Sequence, residues 1–188
     1  MLFVVRHGQT AANARGLLLG RANPPLTDLG RAQAAALAAA LPAPALVVAS
    51  PLLRARDTAT AFGRPVRVDE RWIELDYGEW DEEPVHDVPD EQWRQWRDDV
   101  DFVPPGGESL AALATRVHGA CDDLAGAAAE SDVVVVTHVS PVKAAVAWTL
   151  GVSPGIAWRT YVEDAAVCRI AIGDHGPVLR SFNERHGP

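Results

Sequence analysis

Two histidines and two arginines stand out in this chain: Arg6 and His7 side by side, Arg54 a few residues beyond Ser50-Pro51, and His138 far along the sequence. A guanidinium presents a planar fork of donors that matches the oxygens of phosphate or carboxylate and stays charged in any pocket. A neutral imidazole placed beside such forks would face phosphorus as a nucleophile. Its attack would give a phosphohistidine and split one hard displacement into two easier ones. Either histidine could play that part. The Arg6-His7 pair, followed by Gly8 to allow a sharp turn, favours His7.

The elements that would bring these residues together can be read from the apolar pattern. Leu2 to Val5 predicts a buried strand ending at Arg6-His7, Ala45 to Ala49 a second ending at Ser50, and Asp132 to Thr137 a third ending at His138. Pro65 to Val68 predicts a short strand, and Val167 to Ile172 and Val178 to Phe182 predict closing ones. Between them, Thr27 caps a predicted helix over 28–41, and Ser50-Pro51 reads as the start of one running to about Phe62. Leu110, Leu113, Val117, Cys121 and Leu124 recur at helical spacing and predict a helix over 109–129; another is predicted over 141–150. Alternating strands and helices, with strands apolar on both faces, predict an α/β fold: a single domain with a mostly parallel central sheet and helices on both faces. Ligands of such sheets collect beyond the carboxyl ends of the strands. Arg6-His7, Ser50 to Arg54 and His138 would all lie there.

From about Trp80 to Pro105 no period is sustained, apart from a short predicted helix over 91–98. A long irregular excursion of this kind is expected to be a lid or binding loop. The 188 residues suit one domain, 1–188, with this lid insertion at about 80–106. A formal net charge of -8, from 17 basic and 25 acidic residues, argues against nucleic-acid or anionic-membrane partners, so an anionic ligand needs a local basic cluster. There is no apolar run of membrane-spanning length and no cationic leader, and Cys121 and Cys168 fit no metal or redox spacing. A cytoplasmic protein with free thiols is the expectation.

The residues then match a known family. Arg6-His7-Gly8-Gln9-Thr10, Asn13, Gly20-Arg21, Pro25-Leu26-Thr27, Ser50-Pro51-Leu52 with Arg54-Ala55, Glu74, Gly78-Glu79-Trp80, Pro105-Gly106-Gly107-Glu108-Ser109 and Thr137-His138 occur in order. This pattern resembles the histidine phosphatase superfamily, in its phosphoglycerate mutase-like branch. The resemblance implies that His7 is the nucleophile, that Arg6, Arg54 and His138 hold the phosphoryl oxygens, and that Glu74 is the general acid. It also implies substrate or phosphate contacts at Gln9, Thr10, Asn13, Gly20, Arg21 and Val139. Neither a metal nor another cofactor is called for, since arginines supply the positive charge. Among apolar neighbours Trp72, Ile73 and Leu75, the Glu74 carboxyl is expected to titrate high. The chain departs from the family in having Val139, where glycine is common, after the second histidine, and Glu82 in a lid that reads Asp81-Glu82-Glu83-Pro84. The acidity of that lid would disfavour highly charged polyphosphates.

Taken singly, these residues have plainer readings. His138 alone is a buried strand-end residue, Arg54 a surface ion pair with Asp57, and Glu74, Asn13 and Arg21 ordinary loop or turn residues. The acids of 81–90 read as a solvated face, the tryptophans as packing, with Trp80 at the pocket mouth, and His86, His118, His175 and His186 as surface residues. A zinc or di-metal hydrolase is disfavoured because no HxxxH, HxH or paired-aspartate spacing surrounds His7 or His138. The expected activity is metal-independent hydrolysis of a small phosphorylated metabolite through a phosphohistidine. The alternatives are a phosphoglycerate mutase, disfavoured by the short chain, and a non-catalytic phosphate-binding module.

Overall fold

Every strand that carries a candidate residue is apolar on alternate faces, and the two faces find different helices. In the computed structural model, which describes residues 1–187, β1 (Leu2–Arg6), β2 (Leu46–Ala49) and β4 (Val133–Thr137) are almost wholly buried. Phe3, Val5, Val134 and Val136 pack against Leu37 of α2 (Asp28–Ala40) and Ala55 and Ala59 of α3 (Leu53–Thr60). Their neighbours Leu2, Val4, Val133 and Val135 face the other way, toward Val117 and Leu124 of α5 (Leu110–Glu130) and Val142 and Val146 of α6 (Val139–Leu150). The period of two along each strand thus fills two separate cores. With β3 (Val66–Val68), β5 (Val167–Gly173) and β6 (Gly176–Glu184), the sheet order is β3-β2-β4-β1-β5-β6. β1 to β4 run parallel, and β5 alone opposes its neighbours β1 and β6.

The register is what matters for function. Arg6 pairs with Thr137, and Ala49 with Val136, so the residues leaving β2, β4 and β1 emerge side by side at one edge. The His7 N–H still donates to the Thr137 carbonyl at 2.9 Å, which carries the pairing one residue into the site. Thr27 and Ser109 cap α2 and α5 by accepting from Gly30 N and Ala112 N.

Two expected helix starts are different in the structure. The α3 helix begins at Leu53 rather than at Pro51; its N-cap Leu52 has no side-chain acceptor, while the Ser50 hydroxyl accepts from Leu52 N at 3.3 Å and lies 2.7 Å from His138 Nε2. The α6 helix begins at Val139, directly after His138. A short α1 (Ala11–Ala14), not predicted, follows β1; Thr10 caps it and forms a reciprocal capping box with Asn13. Gly8 is required by a close approach: a Cβ there would lie 2.3 Å from the Gly30 carbonyl oxygen.

3-10 turns at Glu70–Trp72 and Gly78–Trp80 lead into the segment without period, which contains a third at Val85–Asp87 and then α4 (Asp90–Asp98). Aromatic packing replaces periodicity: Trp96 stacks on Trp93 at 5.3 Å and meets Trp158 edge-on at 5.1 Å. Backbone bonds between Leu18 and residues 82 and 83 (2.8 and 2.9 Å) tie this segment to the loop after α1. Cys121 and Cys168 are buried free thiols. Among the described residues no helix is long and apolar enough to cross a membrane.

Candidate active site

His7, Arg54, Glu74 and His138 are 2, 0, 3 and 0% exposed. The imidazoles of His7 and His138 meet edge to face at 5.0 Å between centroids. His7 Nδ1 lies 2.7 Å from the Gly8 carbonyl oxygen, and Arg54 Nε lies 3.1 Å from His7 Nε2. A carbonyl can only accept and a guanidinium can only donate. His7 therefore carries its proton on Nδ1 and keeps its lone pair on Nε2. Burial, followed by the charges of Arg54 and Arg6, holds the His7 pKa well below the usual histidine value, which keeps the ring neutral.

Arg54 is itself anchored from behind. Its Nη1 donates to Ala22 O at 2.7 Å, and its Nη2 to Gly20 O at 2.9 Å and Leu19 O at 3.4 Å. Burial pulls its pKa down to about 10, which still leaves it charged at neutral pH. Arg6 is oriented by Val162 O (2.8 Å) and Asp164 Oδ1 (2.7 Å), and its Nε is buried without a partner among the described residues. His138 Nε2 contacts Ser50 Oγ, and its Nδ1 is likewise buried without a partner. Burial and then the nearby cations also depress His138's pKa.

Glu74 faces this group. Leu75 N donates to its Oε1 at 2.7 Å, and Ser140 N approaches both oxygens at 3.2 and 3.4 Å. These bonds and the charge of Arg54 favour the carboxylate, but burial dominates and raises its pKa. A pocket of about 160 Å³ is lined by Arg6, His7, Asn13, Glu74, Tyr77 and Val139, with leucines 17 to 19 completing it. It brings together a neutral imidazole, a guanidinium and a carboxyl of raised pKa.

Not every expected contact residue reaches this pocket. Asn13 and Val139 line it, whereas Gln9, Thr10, Gly20 and Arg21 do not, and Arg54 and His138 lie fully buried behind His7 rather than in its lining. The Gln9 side chain accepts from Thr27 Oγ1 at 3.1 Å, and its N–H donates to Gln33. Thr10 is committed to capping α1, and Gly20 contributes its carbonyl to Arg54. Arg21 turns to Asp76 (3.7 Å) and Glu108 (3.5 Å). Arg54 pairs with His7 and has no bond to Asp57. Trp80 packs on Trp96 and Phe102, away from the mouth. His118 is half-buried, with Nε2 3.2 Å from Ala144 O.

Two positioning residues escaped the sequence reading. The Asp81 carboxylate accepts from the backbone N–H groups of Gly20, Arg21 and Ala22 at 2.7, 2.8 and 2.7 Å. It therefore fixes the turn that holds Arg54 and is no part of a solvated face, unlike the exposed Glu82 and Glu83. Arg116 bonds Glu108 and donates to the carbonyls of Arg71, Ile73 and Glu74, fixing the strap that presents Glu74. Nothing in the local pattern separates either residue from an ordinary surface charge.

The fold and this constellation define a class, and the chain belongs to the histidine phosphatase superfamily (branch 1), which it matches over residues 2–185. Among curated proteins it is 34% identical over 176 residues to a bifunctional protein of Mycobacterium tuberculosis, covering 88% of this chain and 48% of that one. The chain thus spans about half the length of that relative. It is 37% identical over 166 residues to a glucosyl-3-phosphoglycerate phosphatase of Mycolicibacterium vanbaalenii, covering 80% of this chain and 74% of the relative. Among solved structures, a mycobacterial glucosyl-3-phosphoglycerate phosphatase in complex with VO3 superposes with a TM-score of 0.86 at 30% identity, covering 97% and 98% of the two chains.

Proposed function

We propose that the chain is a phosphomonoesterase acting on a small phosphorylated metabolite through a phosphohistidine at His7. The observation that carries this reading is the fixed tautomer of His7, with a neutral Nε2 beside Arg54 and a buried carboxyl of raised pKa lining the same pocket. The relatives named as phosphatases support it.

In the first step the Arg54 Nε–H leaves His7 Nε2 for a phosphoryl oxygen, the freed Nε2 lone pair forms the N–P bond as the ester P–O bond breaks, and Glu74 gives its proton to the departing alkoxide. Arg6 Nε and His138 Nδ1, the buried nitrogens without partners, would meet the phosphoryl oxygens, and Arg54 would hold charge beside the transferring group. In the second step the Glu74 carboxylate takes a proton from water, the new hydroxide oxygen bonds phosphorus, and the P–N bond breaks to return neutral His7. The arginines supply the positive charge, so the reading includes no metal or other cofactor, and the 80–106 segment covers the leaving group. Buried free thiols and a chain-wide acidic balance support a cytoplasmic enzyme without nucleic-acid or membrane partners.

The test is inorganic phosphate release from a panel of phosphomonoesters, with and without EDTA, alongside interconversion of 3- and 2-phosphoglycerate. Phosphate release insensitive to EDTA is expected. Interconversion without release would make the protein a mutase, and binding without turnover would make it a phosphate-binding module.

A further inference from the structure

Beside the phosphate pocket lies a second cavity of about 140 Å³, which shares Leu18, Tyr77 and Val139 with it as common walls. Its far wall is aromatic, with Trp93, Trp96 and Trp158 packed on one another at 5.1 to 5.7 Å. An apolar cavity of about 150 Å³ accommodates benzene, so a six-membered ring is the scale of group that fits. Lys143, the only lysine in the chain, also lines it. It stands one helical turn beyond Val139 on α6, the spacing that brings both to one face.

The polar groups of this cavity are donors in excess of acceptors. Lys143 Nζ donates to Ala157 O at 2.8 Å and forms no ion pair among the described residues. The Nε1–H groups of Trp96 and Trp158 are buried and have no acceptor there either. A partly desolvated ammonium among indoles is costly until an anion reaches it. Burial lowers the pKa of Lys143, against an upward pull from the charge of Glu74 across the shared wall.

Building on the phosphatase reading above, we infer that this cavity receives the alcohol portion of the substrate, and that the preferred substrate class is a phosphomonoester whose leaving group combines a flat apolar body with a carboxylate that pairs with Lys143. The ring would lie against Trp93, Trp96 and Trp158, with the phosphoryl group at His7. One carboxylate matches one ammonium; the exposed acids of the lid would oppose further negative charge.

The test compares kcat/KM for phenyl phosphate, 4-carboxyphenyl phosphate and glycerol phosphate in the wild type, Lys143→Met and Lys143→Arg. In the wild type the carboxylated aryl ester is expected to exceed phenyl phosphate by at least about tenfold, since a site built to pair a polar group rejects the analogue that lacks it. The ratio should fall toward one in Lys143→Met and recover partly in Lys143→Arg, and glycerol phosphate should trail both aryl esters. As a readout independent of turnover, 4-carboxyphenyl phosphate should quench tryptophan fluorescence of His7→Ala at lower concentration than phenyl phosphate does. A wild-type ratio near one with phenyl phosphate hydrolysed, equal quenching by the two esters, or a preference that survives Lys143→Met would overturn the inference while leaving the phosphatase reading intact. Absence of hydrolysis of every ester would remove that reading and the inference with it.

Discussion

Arg54 Nε donates to His7 Nε2 across 3.1 Å, so the guanidinium sits on the same ring nitrogen that the mechanism needs as nucleophile. The contact holds the imidazole in its reactive tautomer and lowers its proton affinity. Lysine in place of Arg54 would keep a charge but lose the Nε contact and the fork that grips residues 20 and 22. Arg54→Lys is therefore expected to lower kcat on an aryl phosphate by about 100-fold or more, the scale for losing one donor to a developing charge. Retention of near-wild-type kcat would show that this contact is incidental.

The pH profile follows from two opposite shifts. His7 is held below the usual histidine value and must be neutral to attack, so the rate rises with pH as it deprotonates, at a point below about 6.5. Glu74 is raised above the usual carboxyl value and must be protonated to act as acid, so the rate falls with pH as it deprotonates, at a point above about 4.3. A bell in kcat/KM is expected, and Glu74→Gln should abolish its alkaline limb. The same variant should slow alkyl phosphates far more than aryl phosphates, whose leaving groups need no proton; equal losses on both would count against the acid role.

Stability should fall in acid for a related reason. His7 and His138 both have depressed native pKa values, so the unfolded chain binds protons that the native state refuses. Their contribution is intact above about 6.5 and is lost as pH falls from there through the lower native values. Glu74, raised, contributes with the opposite sign, so the series is read in Glu74→Gln, where that opposing contribution is absent. A thermal melting series is expected to show Tm declining from neutral to mildly acidic pH; a flat or rising Tm would contradict the buried neutral state of the two rings.

Asp81 acts at a distance. Its three backbone bonds fix the turn whose carbonyls hold Arg54, although it touches neither His7 nor the pocket that His7 lines. Asp81→Ala leaves those N–H groups without their acceptor and is expected to cost about 1–3 kcal/mol of stability and about tenfold or more in kcat. Asp81→Asn, which keeps one acceptor oxygen, should fall between, and unfolding by urea together with steady-state kinetics reads both effects. Unchanged kcat in a destabilised Asp81→Ala would confine the residue to folding.

Glu82 occupies a left-handed backbone conformation with φ of 68°, where a side chain is strained and glycine is not. Glu82→Gly should be neutral or slightly stabilising, whereas Glu82→Val adds a β-branch in a conformation that disfavours it and should lower Tm. Thermal melting of the pair checks this, with the reverse order contradicting it.

How far the sequence could reach depended on whether a residue's partner was local. The ends of β1, β2 and β4 were legible because apolar runs stop abruptly at Arg6, Ser50 and His138, and parallel pairing does the rest. Thr27 was readable as a cap because its partner, Gly30 N, lies three residues on. Ser50-Pro51 reads as a helix start by the same local rule, and only the fold shows that its hydroxyl meets His138 as well as Leu52 N while the helix begins at Leu53. Asp81 and Arg116 were illegible because each serves backbone groups of a distant loop, and carbonyls and N–H groups leave no trace in residue type. The aromatic lid had no period to read, since Trp93, Trp96 and Trp158 cohere through ring packing rather than through one regular face.

The central claim is that phosphorus bonds to His7 during turnover. The direct measurement is rapid acid-free quenching of the enzyme with a fast aryl phosphate, followed by peptide mass spectrometry at alkaline pH, where phosphohistidine survives. A phosphoryl adduct on the peptide containing His7, formed as fast as turnover and absent in an inactive His7→Ala, is expected. An adduct on His138 or on a carboxylate, or turnover in His7→Ala above about a tenth of wild type, would contradict it.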